Sequence, residues 1–411
     1  MKILLVEDDP AASRLYARLL SGFGHEVLSA GDGEDAWNLL QIHEISLVVT
    51  DWMMPNLSGL DLCRRIRSAN LDHYVYVILC TAKSDKAELV EGMEAGADDF
   101  LSKPIAAAEF RVRIRAGERI LTLERGLAER NRQLATAYKL IEEDLQSAAW
   151  MQSNLLPARI LSAEGIACRW YFRPSSYIAG DTLNFFPLGG GKVGFYVLDV
   201  SGHGVPAAML SVTLSMVLAP AATFGSPLKR LNSATGEFEA MDPDEAIREL
   251  NRRFQTTDDR YFTMIYGVVD TGSRRLKLGQ AGHPNPLLMT ADGKVSVLGT
   301  GGMPVGLWPD IDFDLIDVSF GPGDRLFLYS DGVSECANSR DNMYGDDRVM
   351  KYFESSAGKP LDDVIGGLEP DLDAWRDGRD FRDDVSVMAL EFTMSAELSD
   401  STDRPMKEER T

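Results

Sequence analysis

The chain has 411 residues, a formal net charge of −21 at pH 7, 45% hydrophobic residues and 26% charged residues. That length exceeds what one hydrophobic core usually supports, so we expect two globular domains and a connector. The acidic balance argues against binding to nucleic acid, which requires clustered lysine and arginine. Because no apolar run is long enough to span a membrane and the N-terminus is unlike a signal peptide, we expect a cytoplasmic protein without membrane contact.

Residues 1–118 alternate short apolar runs with amphipathic segments, which is the pattern of a parallel sheet covered by helices. We predict a doubly wound, flavodoxin-like α/β domain over this range. Polar residues follow four of its predicted strands, and they are Glu7, Asp8, Asp9, Asp51, Thr81 and Lys103. Since the carboxyl ends of parallel strands share one edge, these side chains should converge on a pocket whose negative charge suits Mg²⁺.

Four motifs in this domain, ILLVEDDP, VVTDWMMPNLSGLDL, CTAK and LSKPI, resemble the receiver domains of two-component response regulators. The resemblance implies that a sensor histidine kinase is the partner and that Asp51 accepts the phosphoryl group. The Mg²⁺ ligands that it implies are Glu7, Asp8, Asp51 and the carbonyl oxygen of Met53. The residues that it implies for contact with the acyl phosphate and for the aromatic switch are Thr81, Lys103 and Phe100.

A long helix is predicted over residues 106–156, where proline is absent and Pro157 follows. Apolar residues recur there every seven positions, at Ile120, Leu127, Leu134, Ile141, Ala148 and Leu155. A second, partial seam consists of Asn131, Tyr138 and Leu145. The pattern predicts a helical linker over residues 119–156 and a parallel homodimer through a coiled coil over residues 115–156. A single helix packed along one domain is the alternative.

Residues 157–393 consist of short β-rich runs separated by glycine turns, with helices predicted after DVSGHG and at DPDEAIRELNRRF. This pattern predicts an α+β layered β-sandwich. In the second helix we expect Asp242 to be the N-cap, Pro243 the first helical residue and Glu245 the capping-box acid. Residues 394–411 are polar and aperiodic, which predicts a disordered tail.

The stretch VLDVSGHGVPAA, residues 197–208, contains an aspartate, a serine and a histidine within five residues. It lacks the glycine that precedes the serine of a nucleophile elbow, and His203 is too near Ser201 in sequence to be aimed at its hydroxyl. Other aspartates stand at predicted strand or turn ends, and the set is Asp181, Asp199, Asp331, Asp383 and Asp384. Such carboxylates suit two Mg²⁺ or Mn²⁺ ions, which activate water for attack on a phosphate.

The ordered series AAWMQSNLLP, AGDTLN, LDVSGHGVPAA, AGHPNP, YSDGVSE and RDDVSV resembles the SpoIIE/RsbU branch of the metal-dependent serine/threonine phosphatases, the PPM family. The resemblance implies a phosphatase domain over residues 157–393 with two Mn²⁺ or Mg²⁺ ions. The metal ligands that it implies are Asp181, Asp199, the Val200 carbonyl, Asp331 and Asp383. Further residues of these motifs that belong to the candidate site are Asp384, Asn184, Gly332 and His203.

Two details of the resemblance concern individual residues. Asp383 is preferred to Asp384 as the ligand because the position after the ligand often varies in the family. Asn184 stands where this branch usually has aspartate, so weaker metal binding is expected there. His203 and His283 are expected to order loops rather than to transfer protons.

The two resemblances together imply a response regulator in which phosphorylation of Asp51 controls a protein phosphatase. The implied substrate carries phosphoserine or phosphothreonine, and an anti-sigma-factor antagonist in a partner-switching pathway fits this class. The alternative is a non-catalytic, phosphatase-like adaptor that binds a sigma-regulatory partner under receiver control. Asn184 is the sequence feature that favours the adaptor, whereas the retained aspartates favour the enzyme.

Overall fold

The computed structural model divides the chain into two compact units, residues 1–140 and residues 141–411. The residues that it describes are 1–69, 71–82, 86–219, 226–233, 236–255 and 260–393. The tail predicted to be disordered, residues 394–411, lies outside the described residues. Within them, no helix combines the length and the apolar character needed to cross a bilayer.

The first unit contains a five-stranded parallel sheet with helices on both faces, which confirms the predicted α/β fold. Its strands are β1 (Lys2–Val6), β2 (Glu26–Ala30), β3 (Leu47–Asp51), β4 (Tyr76–Thr81) and β5 (Asp99–Ser102). Its helices are α1 (Pro10–Gly22), α2 (Gly33–Ile42), α3 (Gly59–Ser68), α4 (Lys86–Glu94) and the first part of α5 (Ala107–Ser153). The strand order β2-β1-β3-β4-β5 places β1 beside β3, so the order reverses there and opens a crevice at the strands' carboxyl ends.

The second unit is built from two antiparallel sheets and a separate short hairpin. Its strands are β6 (Ile160–Ala163), β7 (Ile166–Arg173), β8 (Thr182–Gly189), β9 (Lys192–Val200), β10 (Lys229–Leu231), β11 (Phe238–Ala240), β12 (Phe262–Asp270), β13 (Arg275–Ala281), β14 (Leu287–Met289), β15 (Val295–Val297), β16 (Leu315–Ser319), β17 (Arg325–Tyr329) and β18 (Val385–Phe392). Its helices after α5 are α6 (Val205–Val217), α7 (Pro243–Arg253), α8 (Asp331–Ser334), α9 (Asp346–Glu354) and α10 (Leu361–Arg376). The sheets have the orders β16-β13-β12-β9-β8 and β15-β14-β17-β18-β7-β6, and β10 pairs with β11.

The strand β9 shows how the layers form. Its side chains alternate between the two faces of the sheet, because successive residues of a strand point in opposite directions. Val193, Phe195 and Val197 belong to the core between the two sheets, whereas Tyr196 and Leu198 pack in the cluster that contains residues of α6 and α7. A third cluster combines the outer face of the other sheet with α9 and α10. The resulting four layers, helix, sheet, sheet and helix, confirm the predicted layered sandwich.

The start of α7 corrects one detail of the prediction. Asp242 and Pro243 occupy the N-cap and the first helical position, but the Asp242 side chain makes no capping hydrogen bond. Its Oδ1 accepts a hydrogen bond from Lys277 Nζ at 2.7 Å, and Glu245 Oε2 accepts one from Arg230 Nη1 at 3.0 Å. The capping-box prediction was wrong because both acids are drawn to basic side chains on other elements.

The helix α5 extends over 47 residues and ends at Ser153, three residues before the predicted end. Most of the predicted heptad residues on it have exposed side chains, including Leu127, Leu134 and Ile141. These apolar side chains therefore form a stripe that the chain's own core does not cover. Pairing of this stripe with a second copy stays a prediction.

Candidate functional site

Three acids meet at the carboxyl edge of the parallel sheet. Carboxylate oxygens of Glu7, Asp8 and Asp51 lie within 4.8 Å of one another. Glu7 and Asp8 follow β1, and Asp51 ends the neighbouring strand β3, so the topology itself produces the convergence. Asp9 does not join them, because its side chain caps α1 by accepting a hydrogen bond from the Ala11 N–H. Hard carboxylate oxygens in such a group fit Mg²⁺.

Lys103 completes this pocket. Its Nζ lies 2.7 Å from Glu7 Oε2 and 2.9 Å from Asp51 Oδ2. Burial acts to lower the pKa of Lys103, but its hydrogen bonds to the two acids outweigh burial and raise that pKa. Burial raises the pKa of Glu7, and the Lys103 ammonium opposes that shift. The pocket thus has a fixed positive charge next to the Asp51 carboxylate.

The other predicted receiver residues lie around this pocket. Thr81 is buried at the end of β4, and its carbonyl accepts a hydrogen bond from the Lys103 N–H at 2.8 Å. Phe100 is half-buried on β5, and its ring lies so close to Gly92 of α4 that a Cβ there would be 2.6 Å from it. The Met53 side chain is exposed in the loop after β3. The structure therefore places Thr81 at the carboxyl edge of the sheet, where the three acids lie, and Phe100 against α4.

A second group of acids occupies one end of the sandwich. Asp181 immediately precedes β8, and Asp199 is the next-to-last residue of β9. The strands β8 and β9 are neighbours in one sheet. Asp331 begins α8 after β17, and Asp383 lies in the loop before β18, the neighbour of β17 in the other sheet. The two sheets thus contribute two acids each to this acid cluster.

The acids raise one another's pKa values. Burial, followed by the negative charges of Asp331 and Asp383, raises the pKa of Asp199 to about 7. Burial and the charge of Asp383 raise the pKa of Asp331 to about 6. Asp181 is fully enclosed, and burial together with the charge of Asp199 raises its pKa well above the ordinary value. Bringing these carboxylates together is unfavourable for the protein alone, as expected where cations normally compensate.

The donor atoms in this acid cluster fit divalent ions. The buried Asp181 Oδ2 has no hydrogen-bond partner among the described residues. A Cβ on Gly180 would lie 2.9 Å from the Val200 carbonyl oxygen, so glycine keeps this oxygen unobstructed. No three acids of the cluster within the described residues bring carboxylate oxygens within 4.8 Å of one another. A buried carboxylate oxygen without a partner, an accessible backbone carbonyl and several acids are oxygen donors of the kind that divalent ions take.

Asp383 and Asp384 differ sharply in their surroundings. Asp384 is buried, and its carboxylate accepts hydrogen bonds from the Ser175 N–H, the Ser175 hydroxyl and the Gly180 N–H at 2.7–2.9 Å. Asp383 is exposed, and its charge acts on both Asp199 and Asp331. Gly332 lies against this turn, because a Cβ there would be 2.0 Å from the Asp384 carbonyl oxygen. The geometry therefore gives Asp384 an anchoring role and leaves Asp383 available to a cation.

Ser201 is part of the sheet hydrogen bonding. Its N–H donates to the Tyr261 carbonyl and its Oγ accepts from the Tyr261 N–H, both at 3.0 Å, which extends the pairing of β9 with β12. His203 is exposed, and its imidazole lies near enough to Asp383 to oppose the rise in that acid's pKa. This arrangement gives Ser201 a structural role and places His203 beside the acid cluster.

His283 is buried, and burial lowers its pKa to about 3, so the imidazole is neutral at physiological pH. Its Nδ1 lies 2.8 Å from Thr263 Oγ1, and Thr263 is the cross-strand partner of Asp199. A buried, neutral histidine bonded to this strand is suited to ordering it rather than to proton transfer.

Replacing Ser201 with alanine is expected to leave the rate of phosphate release within about threefold of wild type. The variant should lose about 1–2 kcal/mol of stability, because the Tyr261 N–H loses its acceptor. Phosphate release and urea unfolding measured on the same preparation check both parts. A loss of activity of a hundredfold or more would restore Ser201 as a candidate nucleophile.

Asn184 lies on the face of β8 opposite to the acid cluster. Leu183 and Phe185 point into the core between the sheets, so Asn184 points to the helix-covered face. There its Oδ1 accepts a hydrogen bond from the Phe185 N–H at 2.8 Å, and its side chain hydrogen-bonds the Tyr196 hydroxyl. The structure therefore does not bring Asn184 together with Asp181 and Asp199.

The variant Asn184→Asp tests this placement. We expect its dissociation constant for Mn²⁺ to stay within about twofold of the wild-type value, because the added carboxylate faces away from the cluster. Isothermal titration calorimetry checks the prediction. An affinity tenfold higher or more would mean that residue 184 reaches the ions.

Several residues around the acid cluster were not predicted from the sequence. Ser330 follows the last residue of β17, Ser386 is the second residue of β18, and both are buried. Hydrogen bonding by their hydroxyls opposes the rise in the pKa of Asp181. Gln152 and Ser175 hold the segment that leads to Asp181. Gln152 lies within the motif AAWMQSNLLP, so a sequence signal existed for it, but only the fold shows which backbone group it contacts.

Comparison with known proteins finds one family match in each unit. A family model described as Stage II sporulation protein E (SpoIIE) matches residues 189–393, and one described as response regulator receiver domain matches residues 3–115. The SiaA-PP2C domain of Pseudomonas aeruginosa is similar in structure, with a TM-score of 0.53 and 22% identity. The match covers 63% of this chain and 99% of that domain, and it supports the fold of the second unit.

Curated relatives match the first unit. The response regulator MprA of Mycolicibacterium vanbaalenii is 40% identical over 129 residues, which are 31% of this chain and 55% of that protein. The probable transcriptional regulator ycf27 of Cyanophora paradoxa is 39% identical over 115 residues, 28% of this chain and 47% of that protein. The chain thus spans about half the length of these relatives. Residues 3–115 are thus similar to response regulator receiver domains and residues 189–393 to the SpoIIE family, and the second unit has the fold of a PP2C domain.

Proposed function

We propose that this protein is a receiver-controlled, Mn²⁺- or Mg²⁺-dependent phosphatase that removes phosphate from phosphoserine or phosphothreonine on a protein. The observation that carries the proposal is the acid cluster at one end of the sandwich. Two acids from each sheet converge there, and a buried oxygen of Asp181 has no hydrogen-bond partner in the described part of the chain. Carboxylates held together against their mutual repulsion are a frequent sign of a metal site.

Within this proposal each acid has a distinct role. Asp199, whose carboxylate interacts electrostatically with Asp331 and Asp383, would be a ligand of both ions, and Asp181 and the Val200 carbonyl would complete one site. Asp331 and Asp383 from the facing sheet complete the other site. When bound, the ions supply an activated water and charge neutralisation for hydrolysis of a phosphate monoester. The chain itself holds the carboxylates in position through its strand ends, so that no side-chain nucleophile is required.

The receiver supplies the control in this proposal. Asp51 accepts the phosphoryl group from a sensor histidine kinase, with Mg²⁺ held by Glu7, Asp8 and Asp51. The Lys103 ammonium, 2.9 Å from Asp51 Oδ2, stabilises the charge of the acyl phosphate. The identity to other receivers and the intact acid pocket support this role.

The finer parts of the proposal concern the substrate and the assembly. An anti-sigma-factor antagonist is proposed as the substrate, supported by the match to the SpoIIE family. A homodimer through α5 is proposed because its heptad side chains are exposed in the single chain. Mass measurement of the full chain at several concentrations tests the dimer, and a monomer at every concentration contradicts it.

Phosphate release from a phosphoserine or phosphothreonine peptide tests the activity. The full chain should release phosphate when Mn²⁺ is present, and excess chelator should abolish the reaction because the four carboxylates alone supply no activated water. The adaptor alternative predicts Mn²⁺-independent or absent turnover with retained binding of a partner. A panel that includes phosphorylated anti-sigma-factor antagonists separates the general activity from the proposed substrate.

A further inference from the structure

The end of α5 is hydrogen-bonded to the segment that carries the first acid of the acid cluster. Gln152 is buried, and its side-chain amide makes two hydrogen bonds to one residue, Ala179. Nε2 donates to the Ala179 carbonyl oxygen at 2.7 Å, and the Ala179 N–H donates to Oε1 at 3.0 Å. Ala179 is buried and lies two residues before Asp181. The amide therefore pairs with this backbone as a neighbouring strand would.

The burial of Gln152 is unexpected for a polar residue flanked by large apolar ones. Trp150 and Met151 next to it are 67% and 65% exposed, while the polar side chain is buried. Apolar side chains ordinarily occupy the buried positions, and a buried amide is costly unless all its hydrogen bonds are made. The paired bonds to Ala179 thus explain why the polar residue is the one turned inwards.

The same segment, residues 175–181, is held on its other side by Asp384. The Gly180 N–H donates to Asp384 Oδ2 at 2.7 Å, next to the position bonded by Gln152. A further bond joins α5 to this segment, from the Tyr177 hydroxyl to Glu142 Oε1 at 2.7 Å. The backbone that leads into Asp181 is consequently fixed between a helix and the turn that carries Asp383.

We propose that Gln152 is a positioning residue for the metal site: its paired hydrogen bonds to Ala179 place the Asp181 carboxylate and so set the affinity for the divalent ion. This inference rests on the proposed function, in which Asp181 is a metal ligand. Gln152 also continues the spacing of Asn131, Tyr138 and Leu145 at intervals of seven residues. A shift or rotation of α5 would therefore act directly on the backbone next to Asp181.

The variant Gln152→Glu tests the proposal with almost no change in shape. An ionised carboxylate cannot donate to the Ala179 carbonyl, so one of the two bonds is lost and replaced by repulsion. All measurements use the full chain carrying Asp8→Asn, which removes ion binding by the receiver. The matched control is Gln146→Glu, which makes the same charge change at an exposed position of the same helix.

We expect calorimetry to give a dissociation constant for Mn²⁺ about tenfold higher for Gln152→Glu and an unchanged value for Gln146→Glu. At saturating Mn²⁺ the turnover number should return to within about threefold of wild type, because the ligands themselves are intact. Gln152→Met, which removes the amide without adding charge, should weaken Mn²⁺ binding in the same direction. The metal-free unfolding midpoint of each variant shows whether the fold is retained.

Equal Mn²⁺ affinity in Gln152→Glu and wild type overturns the proposal. So does a loss confined to Gln152→Glu and absent from Gln152→Met, since the effect would then be one of charge alone. A wild-type chain that binds Mn²⁺ but releases no phosphate contradicts the proposed activity, while the binding constants still decide the role of Gln152. If the chain with Asp8→Asn binds no Mn²⁺ at all, both the proposed metal-dependent activity and the proposed role of Gln152 are wrong.

Discussion

Replacing Asp199 with asparagine is expected to lower the rate of phosphate release by at least about a thousandfold. Asp199 is the acid whose charge interacts with the acids of both sheets, so its loss removes a carboxylate shared by both proposed ion sites. Metal ions contribute several kcal/mol of transition-state stabilisation, which corresponds to a rate effect of this size. Initial rates at a fixed Mn²⁺ concentration, with a phosphoserine or phosphothreonine peptide, measure the effect.

Two controls accompany this variant. Asp312→Asn makes the same chemical change at a side chain that is 98% exposed, and it should keep wild-type activity. The metal-free Asp199→Asn protein should unfold at no lower temperature than wild type, because a neutral amide relieves the repulsion from Asp331 and Asp383. Retained activity in Asp199→Asn would contradict the metal-dependent mechanism, and with it the assignment of the acid cluster.

Replacing Asp51 with asparagine is expected to abolish phosphorylation of the receiver and to remove its control over phosphate release. The amide has no nucleophilic carboxylate, whereas the Glu7 carboxylate and the Lys103 ammonium remain in place. Phosphorylation by a small-molecule phosphodonor, followed by intact-mass measurement, should show one added phosphoryl group on wild type and none on the variant. The phosphatase rate should then change on phosphorylation in wild type alone.

The control for Asp51→Asn is Asp35→Asn, an exposed aspartate in the first turn of α2. It should accept a phosphoryl group as wild type does. Wild-type phosphatase rates that are equal before and after phosphorylation would contradict receiver control, although the activity of the acid cluster would stand. Phosphorylation of Asp51→Asn at the wild-type level would instead contradict the choice of Asp51 as the acceptor.

The strands and helices of the receiver were predictable because their apolar patterns are strong and local. The apolar runs KILLV, EVLSA and LVVTD coincide with the strands β1, β2 and β3. The parallel arrangement of the strands follows from the same pattern, since alternating strands and helices produce a parallel sheet. The convergence of Glu7, Asp8 and Asp51 then needed only the rule that parallel strands end at one edge.

The second unit was less predictable because its local signals are weaker. The strand β8, with the sequence TLNFFPLG, contains asparagine and proline, which weaken its strand signal. Its place is decided by the register with β9 and by burial of Leu183 and Phe185 between the sheets. The helices α9 and α10 were missed, since the apolar face of each becomes evident only against the outer side of a sheet.

Residue types and their spacing along the chain were sufficient to indicate the resemblance to two families, the order of the motifs and the acids that carry the proposed chemistry. The hydrogen-bond partners of individual side chains follow from the three-dimensional fold. Asp384 accepts hydrogen bonds from Ser175 and Gly180, and Gln152 is hydrogen-bonded to Ala179. Asn184 lies on the face of β8 opposite to the acid cluster. The hydrogen bonds of Gln152 and Asp384 link residues 27 to 209 positions apart, and only the packing of the layers brings such residues within hydrogen-bond distance.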